Sequence, residues 1–271
     1  MTLKRRIIIT WFLFLLPAYI HAQISRIGED IQYHTEETSV FSKGAFAPFW
    51  LTNNRYGLST QENNSSLIRA SIFRNVNADS LRNWRIGYGA DLAVPIGMDR
   101  HFVLQQLYAD VQWKSLRLGI GQKERALELK NQALSSGGLT SGINARPIPQ
   151  IRLELPDFLP IPGTRNWLAV KGHIAYGAYT DNAWQRQFNG GDTLCFYTAN
   201  SLYHSKAGFL RIGNTERFPL TLTGGIEMSC QFGGEGWNLY DRYDHVGEFD
   251  PHQKLGNSFK DFWNAFIPGG N

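Results

Sequence analysis

The sequence predicts an all-β protein, an antiparallel sheet of about eight to ten strands of the kind that closes as a transmembrane barrel, with helical and loop segments filling it. Three observations predict this. Long runs alternate apolar with polar residues, the two-residue period of a strand that separates two environments. No helical pattern recurs between those runs, as a parallel α/β sheet would require. Charged residues make up 18 % of the chain, against about 25 % in ordinary soluble proteins, while aromatics reach 13 % and glycines number 27. The same composition also suits a glycan-binding β-sandwich, so the patterning has to decide.

The N-terminus carries an export pattern. Lys4, Arg5 and Arg6 precede the apolar run Ile7 to Leu16, and Pro17 and Ile20-His21-Ala22 follow. This is a basic region, an apolar region and a small residue at the cut, so residues 1–22 read as a signal peptide cleaved after Ala22. The apolar run is shorter than the roughly 20 residues of a helical span. No Cys follows the cut to carry a lipid. Losing three basic residues takes the net charge from +4 to +1, which excludes a nucleic-acid-binding reading. The remainder, 23–271, contains no second candidate for a helical span. A membrane form must therefore be a barrel, because lipid leaves an unpaired sheet edge unsatisfied.

Ile31 to Phe41 has β character and predicts a first strand. Leu67 to Val76 sets Ile68, Ala70 and Ile72 against Arg69, Ser71 and Phe73. Trp84 to Ile96 sets Ile86, Tyr88, Ala90, Leu92 and Val94 against Arg85, Gly87, Gly89, Asp91 and Ala93, over about the 9–11 residues a barrel strand needs. Phe102 to Lys123 predicts a hairpin turning at Lys114-Ser115. Its apolar set is Val103, Leu107, Ala109, Val111 and Trp113, then Leu116, Leu118 and Ile120, with Phe102 and Leu104 as exceptions. Gln106, Asp110, Gln112 and Arg117 take the polar face.

Glu124 to Leu134 has helix-forming composition, but the Ser-Gly-rich stretch after it makes a long structured loop the expectation. Ile151 to Leu155 predicts a strand that Pro156 stops, and Pro160, Pro162 and Gly163 a turn. Trp167 to Asp181, Leu202 to Ile212 and Leu220 to Phe232 are further strands, the last with Leu220, Leu222, Ile226, Met228, Cys230 and Phe232 on one face. Residues 182–200 read as a polar loop. Phe259, Phe262, Trp263, Phe266 and Ile267 lie on one helical face, with Ser258 placed as N-cap. Loop-like residues after a helix offer no closing strand, so the barrel is expected to be incomplete within this chain.

Candidate chemistry is sparse. Asp241, Asp244, His245, Glu248, Asp250 and His252 are the densest group of ligand or acid–base types, but their spacing matches neither an EF-hand nor HExxH, and a solvated loop is the simpler reading. No catalytic residues, metal site or cofactor are assigned. Cys195 and Cys230 could pair in an exported chain, or Cys230 could remain a free thiol. Arg117, Lys171, His173, Glu227 and Gln231 fall on polar strand faces. They would line a barrel's interior, pairing around a plug or binding sugar hydroxyls. Trp84, Trp113 and Trp167 sit at strand ends, as in an interfacial girdle. Trp50, Trp184 and Trp237 fall in expected loops and are the better sugar-stacking candidates.

Several segments together resemble the Wzi capsule-assembly family. They are Ala47-Pro48-Phe49-Trp50-Leu51 with Asn54-Arg55-Tyr56-Gly57; Gly119 and Gly121-Gln122-Lys123-Glu124; Leu134-Ser135-Ser136-Gly137-Gly138-Leu139 with Asn144-Ala145-Arg146-Pro147-Ile148-Pro149; and Lys171-Gly172 leading to Tyr176-Gly177 and Thr180-Asp181. The resemblance runs from about residue 30 to the end. It implies a non-enzymatic outer-membrane barrel that binds exported capsular polysaccharide at the cell surface, of which this chain looks like the N-terminal portion. The expected partners are that polysaccharide and outer-membrane lipid, with no nucleic acid, and the expected state is a monomer. Trp50, Arg55, Tyr56, Arg146, Trp184 and Trp237 are the candidate polysaccharide-binding residues. A porin-like channel and an outer-membrane enzyme acting on lipid or glycan are the alternatives.

Overall fold

A computed structural model describes residues 27–98, 100–131, 134–135, 137–138, 140–180, 185, 197–237 and 252–267. Residues 1–22, read from the sequence as a signal peptide, Trp184, Cys195 and the group from Asp241 to Asp250 lie outside the described residues.

The fold is all-β and antiparallel. Its strands are β1 (Ile31–Phe41), β2 (Asn64–Arg74), β3 (Trp84–Ile96), β4 (Val103–Trp113), β5 (Leu116–Gln122), β6 (Gln150–Pro160), β7 (Leu168–Ala178), β8 (Tyr197–Ala199), β9 (Leu202–Ile212), β10 (Leu222–Phe232), β11 (Glu235–Trp237) and β12 (His252–Lys254). Nine of them form one sheet in the order β1-β2-β3-β4-β5-β6-β7-β9-β10. This is a meander, in which each strand pairs with the next along the chain except where β8 intervenes. The short β8, β11 and β12 make a separate three-stranded sheet. Two α-helices are described, α1 (Phe49–Thr52) and α2 (Phe259–Phe266), with a short 3-10 turn at Val76–Asp79. Among the described residues β1 and β10 do not pair with each other, so the nine strands do not form a closed barrel.

The two faces of the sheet reverse the usual arrangement of a water-soluble protein. Asp91, Gln106, Asp110, Gln112, Arg152 and His173 are buried, while Ile68, Leu92, Val94, Leu118, Ile120 and Leu153 are exposed. Buried polar groups and exposed apolar patches are the informative departures in a burial pattern. Here both occur on the same strands, one on each face. The buried apolar core is small, with Leu58, Leu67, Ala93 and Val103 joined by Met98.

Two bulges explain where the alternation breaks. Asp91 pairs with Gln106 and Leu92 with Leu104, leaving Gln105 as an extra residue on β4. Gln105 and Gln106 are both buried, so the side-chain alternation resets there. Leu104 therefore points to the exposed face, and Val103 does not share a face with Leu107 as expected but packs beside Leu67 and Ala93. The second correction is at Pro156. It does not stop the strand; β6 continues to Pro160, with a register shift between Leu155 and Leu159 that accommodates a residue lacking a ladder donor.

Strand ends and the terminal helix follow the sequence more closely. Trp84 and Trp113 are opposed across β3 and β4, ring centroids 6.2 Å apart, and both are exposed. Helix α2 begins at the expected cap, where the Ser258 backbone N–H donates to Asp261 Oδ2 at 2.7 Å. It lies on the exposed face of the sheet. Its Phe262 ring packs 5.0 Å from Phe232, and Tyr176 Oη donates to the Phe262 carbonyl at 3.1 Å. Cys230, a free and half-buried thiol, sits beneath the helix against the Ala265 carbonyl. Leu220 falls outside β10 and is exposed.

Candidate functional site

The chain leaves β5 after Gln122, one residue past Gly121, and does not return to the sheet until Gln150. Gly121 has φ of +111°, and a Cβ there would run into the Leu107 carbonyl oxygen, so this exit requires glycine. The described part of the connection between β5 and β6 is irregular loop, despite its helix-forming composition. It packs on the polar face and satisfies that face's charges, because a buried polar group without a partner is costly.

Glu124 accepts hydrogen bonds from Arg69 Nη2 and Gln105 Nε2, both at 2.8 Å, and its N–H donates to Gln106 Oε1 at 2.9 Å. Lys123 Nζ pairs with Asp110 and lies 4.3 Å from the centre of the Tyr108 ring. Glu128 meets Lys171 at 2.8 Å, Arg152 at 3.2 Å and His173 Nδ1 at 3.7 Å. Burial alone would raise the Glu128 carboxyl. The neighbouring His173, Lys171 and Arg152 outweigh it and hold the group down to about 2.

Further along, the connection bridges β10 and the loop between β1 and β2. Ser141 Oγ donates to Glu227 Oε1 of β10 at 3.0 Å. Two residues later the Ile143 carbonyl accepts the Tyr56 N–H at 2.6 Å, and Asn144 Oδ1 accepts the Asn54 N–H at 2.6 Å. Asn54, Tyr56 and Gly57 all have positive φ, the tight folding that brings this loop onto the connection. Tyr56 Oη donates to the Arg125 carbonyl at 3.1 Å, and the Tyr56 carbonyl accepts from Gln105 Nε2 at 3.0 Å. Arg146 Nη2 donates to the Leu104 carbonyl at 2.7 Å.

Tyr56, Arg146 and Glu227 line one open cavity of about 490 Å³. In a flat sheet β4, which holds Tyr56 through Gln105, would lie about 24 Å from β10 at ~4.8 Å per strand. That Tyr56 and Glu227 share this cavity means the sheet curls around the connection.

Two of the candidate sugar-binding residues, Tyr56 and Arg146, therefore meet in this cavity. Arg55 is exposed and lines a second cavity of about 240 Å³ beside Glu36 and Glu124. Trp50 stands on α1 and is 77 % exposed, away from both cavities' walls. Trp237 is no open platform: its ring stacks between Tyr197 at 5.9 Å and His252 at 4.1 Å. Trp184 lies outside the described residues.

Arg125, Glu128, Gln150 and Tyr203 also line the first cavity, and none was singled out in the sequence. Arg125 and Glu128 sit in a stretch whose composition suggests a helix, and Gln150 and Tyr203 sit on strands without a distinguishing motif. Among the polar-face residues that were noted, Arg117 bonds Gln112 and Glu154, while Lys171 and His173 meet the connection through Glu128 and Glu227 meets it through Ser141.

Among the described residues no three His, Cys, Asp or Glu side chains are placed to hold a metal ion, and no helix is long and apolar enough to cross a membrane. No family model, no curated protein and no solved structure matches this chain.

Proposed function

We propose that this protein is a non-enzymatic outer-membrane barrel protein of Wzi type that takes part in capsule assembly by binding exported polysaccharide at the cell surface. The observation that carries the membrane part is the reversal of faces. One face of the nine-stranded sheet is exposed and apolar, and the other is polar and covered. Water disfavours an exposed face of that size, and a bilayer favours it. On this reading the strands cross the outer membrane with Leu118, Ile120 and Leu153 in hydrocarbon, and Trp84 and Trp113 at one interface.

The polysaccharide part is supported by the convergence of the segments that carry the family resemblance. Asn54 to Gly57, Gly121 to Glu124 and Asn144 to Arg146 lie far apart in the sequence and are hydrogen-bonded into one region. That region borders an open cavity rich in side-chain donors and acceptors, as a sugar-binding site requires. The connection that occupies the polar face also argues against a wide aqueous channel.

The test is expression of the full chain with its signal peptide, followed by membrane fractionation and a binding assay against capsular polysaccharide. Recovery in the outer membrane with saturable polysaccharide binding is the expected result. A mature protein that stays entirely in the soluble periplasmic fraction overturns the reading.

A further inference from the structure

Three guanidinium groups border the large cavity without forming an ion pair among the described residues: those of Arg100, Arg125 and Arg146. Every other cation that borders it is matched. Lys123 has Asp110, and Arg152 has Glu128 and Glu154. Arg125 spends one N–H on the carbonyl of Lys123 at 3.0 Å, and Arg146 one on the carbonyl of Leu104. Carbonyl dipoles do not neutralise a full positive charge, so both guanidinium groups keep theirs.

Their surroundings register that imbalance. Burial, then repulsion from Arg152, outweighs the weaker attraction of Glu154 and Asp110 and pulls Arg125 down to about 10. Burial, then Arg100, lowers Arg146 as well. Independently, two buried polar atoms on residues that line the cavity have no hydrogen-bond partner: Arg146 Nε and Gln150 Oε1. Buried polar atoms in folded proteins are normally bonded, and two such exceptions around one space mark a site with something to hold. The cavity's volume falls within the roughly 300–1,000 Å³ of small-ligand sites.

We propose that this cavity is the subsite for an acidic sugar residue, a uronic acid in the polysaccharide chain, whose carboxylate is drawn in by the unpaired guanidinium groups of Arg100, Arg125 and Arg146 that border it. The fork of a guanidinium matches a carboxylate with two parallel hydrogen bonds, and the Arg146 Nε is available for one of them. Gln150 meets a ring hydroxyl, with Glu227 as a further acceptor. The inference rests on the polysaccharide-binding reading above and adds the charge class of the glycan.

Three ligands distinguish the outcomes on the detergent-extracted full chain: a glucuronate-containing tetrasaccharide, a neutral tetrasaccharide and inorganic phosphate. The expected result is that the acidic tetrasaccharide binds at least tenfold tighter than the neutral one, and that phosphate displaces it weakly. Arg125→Gln and Arg146→Gln each reduce that affinity about ten- to hundredfold, the range for one charge-assisted contact. Because a variant at a half-buried position can fail to fold, the wild-type chain is also treated with phenylglyoxal. The acidic tetrasaccharide should protect Arg125 and Arg146 from modification, read by mass spectrometry.

Equal binding of the two tetrasaccharides, or modification of both arginines undiminished by the acidic ligand, overturns the subsite and leaves the polysaccharide reading intact. Phosphate competing as well as the acidic sugar overturns the carboxylate assignment. Binding of neither tetrasaccharide overturns the subsite, and failure of the capsular polysaccharide itself to bind overturns the function beneath it.

Discussion

Arg69 Nε donates to both carboxylate oxygens of Asp91, at 2.9 and 3.0 Å, across the β2–β3 ladder, and Asp91 has no exposed surface. Gln106 adds a third donor to Asp91 at 3.0 Å, and Glu124 shares the same arginine. A buried pair of this kind is costly to break from one side, because the survivor keeps a charge with no counterpart. Asp91→Ala should destabilise the fold by about 3–5 kcal/mol. Replacing both Arg69 and Asp91 with apolar residues should cost less than the sum of the two single changes. Urea unfolding of the reconstituted protein measures both.

The exposed apolar face yields a test that separates lipid from water. Leu118 lies mid-strand, opposite Val111 and Leu153. In a bilayer, Leu118→Arg should cost about 2–4 kcal/mol and impair assembly. On a water-exposed face the same change should stay within about 0.5 kcal/mol. Unfolding of wild type and variant in vesicles gives the difference directly.

Glu128 ties the β5–β6 connection to three strand residues, and its carboxyl is held below its ordinary range at about 2. A carboxyl depressed on folding contributes stability above its unfolded value near 4.5, and that contribution is lost as pH falls towards 2. Between those limits the connection should become progressively more sensitive to acid-active protease. Glu128→Gln should show that sensitivity already at neutral pH, with the strands themselves still protected.

The two described tryptophan candidates should separate in their effects. Trp50→Ala removes an exposed ring that borders neither cavity and should leave stability unaltered, so any loss of polysaccharide binding in this variant would report a contact of the glycan outside the cavity. Trp237→Ala breaks a stack with Tyr197 and His252, and should loosen the β8–β11–β12 sheet, seen as faster amide exchange, before it affects any ligand.

Much of the sheet is legible from its alternation. Ile68, Leu92, Leu118 and Ile120 fall on the face their parity assigns, and Asp91, Asp110 and Gln112 on the other. What escapes is whatever changes the count. The extra residue at Gln105 alters parity without any composition signal, and Pro156 signals a break but not whether the strand ends or shifts register, since each depends on the partner strand as much as on the strand itself. The cavity was half legible. Tyr56 and Arg146 stand in conspicuous motifs, but Arg125 acquires its importance only when the connection lies down on the sheet and leaves its charge unmatched. No local pattern records that a loop will cross back over polar side chains of β2, β4, β6, β7 and β10.

The bulge at Gln105 acts on this sheet as a frameshift acts on a coding sequence. The side chains alternate between the two environments in one phase before it and in the opposite phase after it, with a single residue setting the offset. Deleting Gln105 would delete little mass, yet it would translate Val103 and Leu104 into each other's surroundings. It would also remove the amide that holds both Tyr56 and Glu124. The strand could mend its hydrogen bonds and still be misread from that point on.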